Sequence, residues 1–379
     1  MKLLTLASLT LALLLLASRS PSGAQPDATP LDPAFLIQST EVKRSFRYAD
    51  GPRRLSFANH TGGYAQWRDR CKEKLTELLN VKHPAPCVVK ELRQTVYQGV
   101  RIKALVMTVS DDLSIPAYLL APEKPAVTTA AVLAIHGHGT VEPCVGARDE
   151  YHHRFAWELA RAGHLVLCPE LRGFGVLSDL AADRPGHRLD YWNQAKRVND
   201  RQFTLVTDGL QHGRTLVGDT IEDLLRWEDW LATAHSIKTI RVAGLSYGGD
   251  LSFTYPVFSA RVERIFASGS FGSFAPIFAR CYNAPAHVIP GVLQWMDRAD
   301  IAGLNAPRPI ALHYGELDTP SKDNYSAAYN ETVAPAVADL KKIYAAAQAE
   351  DRVRLIVTKG KHHEMDIEAL RKFMQEPGR

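Results

Sequence analysis

The sequence predicts an α/β fold, a mainly parallel central sheet with helices on both faces and a helical N-terminal extension. Three observations carry that expectation. From residue 130 onward, apolar runs of strand length alternate with helical patterns, the order that builds parallel sheets. One run, IKTIRVA, leads into a glycine-flanked serine, Ser246, and a helical stretch follows at once. The chain has 379 residues, 46% hydrophobic and 23% charged, which is enough to bury a large core and excludes disordered, collagen-like or low-complexity structure.

The first 24 residues read as an export signal. Lys2 supplies the positive start, residues 3–17 are an unbroken run of apolar and small residues, and Ser22-Gly23-Ala24 offers the small side chains a signal peptidase reads. The run is shorter than the roughly 20 residues a membrane span needs. Cleavage is expected before Gln25, giving a secreted or periplasmic mature protein without a membrane span. Residues 25–95 then form an N-terminal extension. Its first ten or so residues are a flexible leader, and 64–80 is a helix with Trp67, Cys71, Leu75 and Leu78 at helical spacing.

Two β-like runs, 100–109 and 115–120, should be antiparallel strands leading into the larger sheet. Residues 131–135 are a buried-strand candidate, 150–162 a helix, 165–168 the next strand, and 219–233 (DTIEDLLRWEDWLAT) a strongly amphipathic helix. Strands follow at 239–243, 264–267, 309–313 and 353–357, with helices after Ser246, around 333–348 and over 366–375. The stretch 174–217 lacks clear periodicity and is too long for an ordinary connection, so 176–212 is expected to be a lid or pocket insertion. With no internal repeat and no second β-α series, residues 96–379 read as one catalytic domain.

Net charge is +4, and loss of Lys2 and Arg19 with the signal leaves about +2, too weak and dispersed for a nucleic-acid partner. The cysteines, Cys71, Cys87, Cys144, Cys168 and Cys281, are odd in number and include no CxxC. An oxidising compartment would permit one disulfide, Cys71 with Cys87 among the options, but all five read as structural residues. Sequons occur at Asn59, Asn324 and Asn330 and would matter only in a glycosylating host.

The sharpest chemical signal is Gly244-Leu245-Ser246-Tyr247-Gly248-Gly249. A strand-to-helix turn this tight forces its central residue into a strained backbone and lifts the Ser246 hydroxyl clear of the sheet, at a helix N-terminus whose dipole favours developing negative charge. A serine needs a base to become a nucleophile at neutral pH. After the last strand stand His362 and His363; after the strand before it stand Glu316 and Asp318. The order Ser246, Asp318, His363 is therefore read as nucleophile, acid and base, with His362 as the alternative base and Glu316 as the rival acid. His136-Gly137-His138-Gly139, directly after the run AAVLAI, can turn a backbone N–H into the site. Two donors stabilise a tetrahedral oxyanion, roughly 3–4 kcal/mol each, and the N–H groups of Tyr247 and His138 are expected to supply them. A metal reading exists for His136, His138 and nearby His152-His153, but no carboxylate or cysteine completes a recognisable set.

Together, HGHG (136–139), LRGFG (171–175), GRTLVG (213–218), GLSYGG (244–249), LNAPRPIALHYGELD (304–318) and GKHHEMD (360–366) resemble the serine-dependent α/β-hydrolases. The dienelactone hydrolase and acetyl xylan esterase-like group is the nearest, over roughly residues 95–375. The resemblance implies the α/β-hydrolase fold and cleavage of carboxylic esters through a Ser-His-Asp triad and acyl-enzyme, with neither metal nor organic cofactor. Dienelactone hydrolases proper use a cysteine, so Ser246 points to esterase chemistry. The family's Gly-x-His-Glu pattern is matched better by His363, which Glu364 follows, and Pro169-Glu170 stands where the family often has Pro-Asp. SYGG is also similar to prolyl-oligopeptidase-like peptidases, which usually carry a β-propeller that this length cannot hold. A catalytically inactive hydrolase fold acting as a binding protein is the remaining alternative.

The expected substrate is a small-molecule or carbohydrate ester, possible acetyl esters included. Trp192, Phe271, Phe274, Arg280, Tyr282 and Trp295 are pocket candidates, with core or lid packing as the other reading of each aromatic.

Overall fold

The computed structural model describes residues 32–42, 51–124, 127–178, 198–275, 285–318 and 328–376. The expected signal peptide, Trp192, Arg280, Cys281, Tyr282 and the Asn324 sequon lie outside the described residues. The chain divides into two units, Met1–Asp50 and Gly51–Arg379. The described part of the first carries a 3₁₀ turn, Pro33–Phe35, whose N-cap Asp32 accepts the Ala34 N–H at 2.8 Å.

The second unit is built on nine described strands in the order β1-β2-β3-β5-β4-β6-β7-β8-β9. They are β1 (Val88–Tyr97), β2 (Val100–Ser110), β3 (Leu113–Pro122), β4 (Ala130–Ile135), β5 (Leu165–Pro169), β6 (Thr239–Leu245), β7 (Val262–Ser268), β8 (Ile310–Gly315) and β9 (Val353–Thr358). β1, β2 and β3 form an antiparallel meander that joins β5, and β5, β4, β6, β7, β8 and β9 pair in parallel. The helices are α1 (Tyr64–Leu79), α2 (Phe155–Arg161), α3 (Val198–Gln211), α4 (Leu216–His235), α5 (Tyr247–Thr254), α6 (Arg298–Gly303), α7 (Val333–Ala346) and α8 (Ile367–Gln375).

Central β4 shows why the parallel strands read as continuous apolar runs. Ala131, Leu133 and Ile135 enter one core with α1, α4 and α7 residues such as Leu75, Trp227 and Leu340. Val132 and Ala134 enter a second core with Phe155, Trp157, Leu370 and Phe373 of α2 and α8. Both faces are covered, so alternation is lost. On α1, Trp67, Cys71, Leu75 and Leu79 are buried at four-residue spacing, and the helix stops at Asn80, whose φ of 51° lies in the left-handed region. Among the described residues, no helix is long and apolar enough to cross a membrane.

Some elements differ from expectation. β1 is an edge strand exposed on both faces, so VVKELRQTVY carries no burial periodicity to announce it. α2 begins only at Phe155, because His153 and Arg154 take φ values of 48° and 46°. α3 occupies part of the stretch expected to be an irregular insertion. Cys71 and Cys87 are both free thiols, as are Cys144 and Cys168, so the disulfide option at Cys71 and Cys87 is not taken up.

Candidate active site

Ser246 joins β6 to α5 with φ 59° and ψ −121°, a region that L-residues enter only under constraint. Close packing imposes it. The Ser246 N–H donates to the Ser268 carbonyl at 2.8 Å, and the Gly249 and Asp250 N–H groups return to the Ser246 carbonyl at 2.9 and 3.2 Å. A side chain on Gly248 would collide with the Ile135 carbonyl, so the helix can start this close to β4 only without one.

The loops carrying Asp318 and His363 follow β8 and β9 and are zipped to each other. Glu316 N–H donates to the Thr358 carbonyl at 2.9 Å and Leu317 N–H to that of Lys361 at 2.8 Å. The zip brings Asp318, fully buried, to His363, whose Nδ1 lies 2.8 Å from Asp318 Oδ2. His363 Nε2 is buried without a hydrogen-bond partner among the described residues. The His363 ring lies over Gly269, where an added Cβ would sit 2.7 Å from Cε1. His362 is exposed. The rival acid, Glu316, instead accepts the Gly360 N–H at 3.0 Å.

Two side chains that the sequence reading gave no catalytic part help hold this pair. Asn330, noted only as a sequon, donates its amide to Asp318 Oδ2 at 3.1 Å and to the Asp318 carbonyl at 3.0 Å. Glu364 receives His153 Nε2 at 2.5 Å and Lys361 Nζ at 3.3 Å, fixing the loop that carries His363. Partial burial works against the Glu364 charge, but His153, the His362 N–H and Lys361 outweigh it and hold the carboxyl below its usual range.

The HGHG loop is pinned on either side of the His138 N–H. Gly137 N–H donates to His152 Nε2 at 2.8 Å, and the Tyr151 hydroxyl donates to the His138 carbonyl at 2.7 Å. Tyr151 also stacks on His363, with centroids 5.6 Å apart. An added Cβ on Gly137 would lie 2.9 Å from Ser246 Cβ, which places this loop directly against the elbow. As the first residue of α5, Tyr247 has an N–H with no intrahelical acceptor. His136 is used internally: Nδ1 meets the Gly137 carbonyl at 2.7 Å and Nε2 the Leu171 N–H at 3.2 Å, with Glu170 2.8 Å away. Burial, and then the neighbouring imidazoles of His287 and His363, push His138 down to about 3.

A polar chain braces the strand ends below. Thr358 gives its hydroxyl proton to Asp366 at 2.6 Å and so accepts from His313 Nε2 at 3.1 Å, which leaves His313 Nδ1 to accept from Ser268 Oγ at 2.7 Å. Burial pushes His313 down to about 4.

Beside Tyr247 lies a second His–Asp pair. Asp250, in the first turn of α5, takes both terminal nitrogens of Arg298 and His287 Nδ1. Burial opposes its charge, yet Arg298 and then His287 prevail and keep the carboxyl below its usual range.

The pocket candidates that can be located lie in the body of the unit. Phe271 and Phe274 are buried in the core, edge-on to Phe253 and beneath the Arg298 guanidinium respectively. Trp295 lies under Arg54 and Lys74, at 5.0 and 4.3 Å, against the segment that carries α1.

The sequence matches no protein-family model and no curated protein. Solved structures do resemble the chain. An acetyl xylan esterase candidate of Bacteroides fragilis is 18% identical with a TM-score of 0.61, covering 80% of this chain and 78% of its own. The glucuronoyl esterase of Solibacter usitatus is 13% identical with a TM-score of 0.56, over 86% of this chain and 97% of its own. Acetyl xylan esterase 1 of Thermoanaerobacterium sp. JW/SL YS485 is 16% identical with a TM-score of 0.53, over 81% and 92%. At such identities the likeness is one of architecture, and that architecture is the α/β-hydrolase fold.

Proposed function

We propose that this chain is an exported serine hydrolase of carboxylic esters, acting on acetyl or related esters of a carbohydrate or small molecule through an acyl-enzyme. Two observations support the reading: His363 is anchored to Asp318 at 2.8 Å through Nδ1, with Nε2 left without a partner among the described residues, and Ser246 is held at φ 59° in the strand-to-helix turn. Ser246 attacks the ester carbonyl while His363 Nε2 takes its proton. Asp318 orients the ring and stabilises the imidazolium. The oxyanion rests on the N–H groups of Tyr247 and His138. His363 then protonates the departing alcohol, and water releases the acyl group by the reverse route. The carbohydrate side is supported by the named activities of the similar structures, acetyl xylan and glucuronoyl esterases. Export rests on the pattern of residues 1–24.

Turnover of p-nitrophenyl acetate tests the reading. Ser246→Ala should lose at least about 10³-fold in kcat with unchanged circular dichroism. Retained turnover would refute it.

A further inference from the structure

Four rings close a circuit beside the elbow. Phe174 stacks on Tyr247 at 5.3 Å, Tyr247 meets His287 edge-on at 4.9 Å, His287 stacks on His138 at 5.6 Å, and His138 meets Phe174 edge-on at 5.4 Å. Two of these residues, Tyr247 and His138, carry the N–H groups assigned above to the oxyanion. His287 therefore belongs to the aromatic wall formed by the side chains of these two residues.

The ring nitrogens of His287 are not equivalent. Nδ1 is committed to Asp250, a carboxylate already matched by Arg298. The tautomer that donates from Nδ1 presents a lone pair at Nε2. All three residues are buried, Arg298 at 1%, Asp250 at 7% and His287 at 8% exposed. A buried ion pair adds little net stability over apolar packing, but it fixes the oxygen on which His287 turns. His138 adds a second observation, since its Nε2 is buried without a hydrogen-bond partner among the described residues. An alkyl group pressed against this wall would leave imidazole nitrogens desolvated and unpaired, whereas a hydroxyl pairs with one.

We propose that His287 is a substrate-contacting residue whose Nε2 accepts a hydrogen bond from a hydroxyl of a polyol or sugar ester. The proposal rests on the hydrolase reading above.

The test compares a monoacetylated methyl pentoside bearing free hydroxyls with its deoxygenated counterpart, and uses p-nitrophenyl acetate as the common reference. Wild type should favour the hydroxylated ester by about tenfold or more in kcat/KM. His287→Phe keeps a ring against His138 and Tyr247 and should reduce that preference to about threefold or less, while His287→Gln, which keeps an amide near the Nε2 position, should retain part of it. Equal kcat/KM of wild type on the two pentosides overturns the proposal whether or not the variants fold, and so do parallel losses on both esters in His287→Phe. A wild type that turns over none of the three esters instead overturns the hydrolase reading, and this inference with it.

Discussion

Asn330 places its side-chain amide 3.1 Å from Asp318 Oδ2, the same oxygen that His363 Nδ1 reaches at 2.8 Å. A second bond from that amide, to the Asp318 carbonyl at 3.0 Å, ties the backbone and side chain of Asp318 to one donor. Asn330→Ala should therefore lower kcat on p-nitrophenyl acetate about tenfold or more with little change in KM, the effect of losing a hydrogen bond to a charged group. A kcat within twofold of wild type would remove Asn330 from the account. Its amide is buried and engaged, so peptide mapping after expression in a glycosylating host should find Asn330 without glycan.

Gly269 has φ +60°, and an added Cβ would lie 2.7 Å from His363 Cε1 and 3.0 Å from Nδ1. Gly269→Ala should displace the ring and cost about a hundredfold in kcat, since misplacement of about 1 Å is enough for that. The urea transition should stay cooperative. Wild-type kcat in this variant would mean that the ring does not need its present seat.

The strand-turn-helix around Ser246 and the alternating apolar runs were legible because both depend on local sequence and on burial with a short period. That Asp318 and His363 meet was foreseeable because they follow adjacent strands of a parallel sheet, at the end where topology gathers loops. Choosing His363 over His362 took the pattern with Glu364, and the structure gives that glutamate a physical partner in His153. Asn330 and the His287–Asp250–Arg298 group were not legible. Their meaning lies in which side chains meet across 12, 37 and 48 positions of sequence, and no periodicity records that. β1 escaped for the opposite reason, as an edge strand with too little burial to pattern its residues.

The Tyr151 hydroxyl holds the His138 carbonyl at 2.7 Å, and its ring supports His363. Tyr151→Phe keeps the stacking and frees the loop. Turnover should fall about three- to tenfold, mostly in kcat, because the donor loop loses one restraint at the developing oxyanion. A change confined to KM would contradict this role.

His313 is held down to about 4 from an ordinary 6.5 by burial. The unfolded chain then binds the extra proton across that window, so this residue makes stability fall as pH drops from about 6.5 to about 4. Urea midpoints measured from pH 7 to pH 4 should decline less steeply in His313→Gln than in wild type, whatever the variant's stability at pH 7. An unchanged slope would mean that His313 is not held neutral.

Fluorophosphonate labelling, followed by intact-mass measurement and peptide mapping, tests the central claim most directly. One adduct should form, on Ser246, at a rate that falls about 10³-fold in His363→Ala and stays near wild type in His362→Ala. An adduct on another residue, or His363→Ala labelling as fast as wild type, would contradict it.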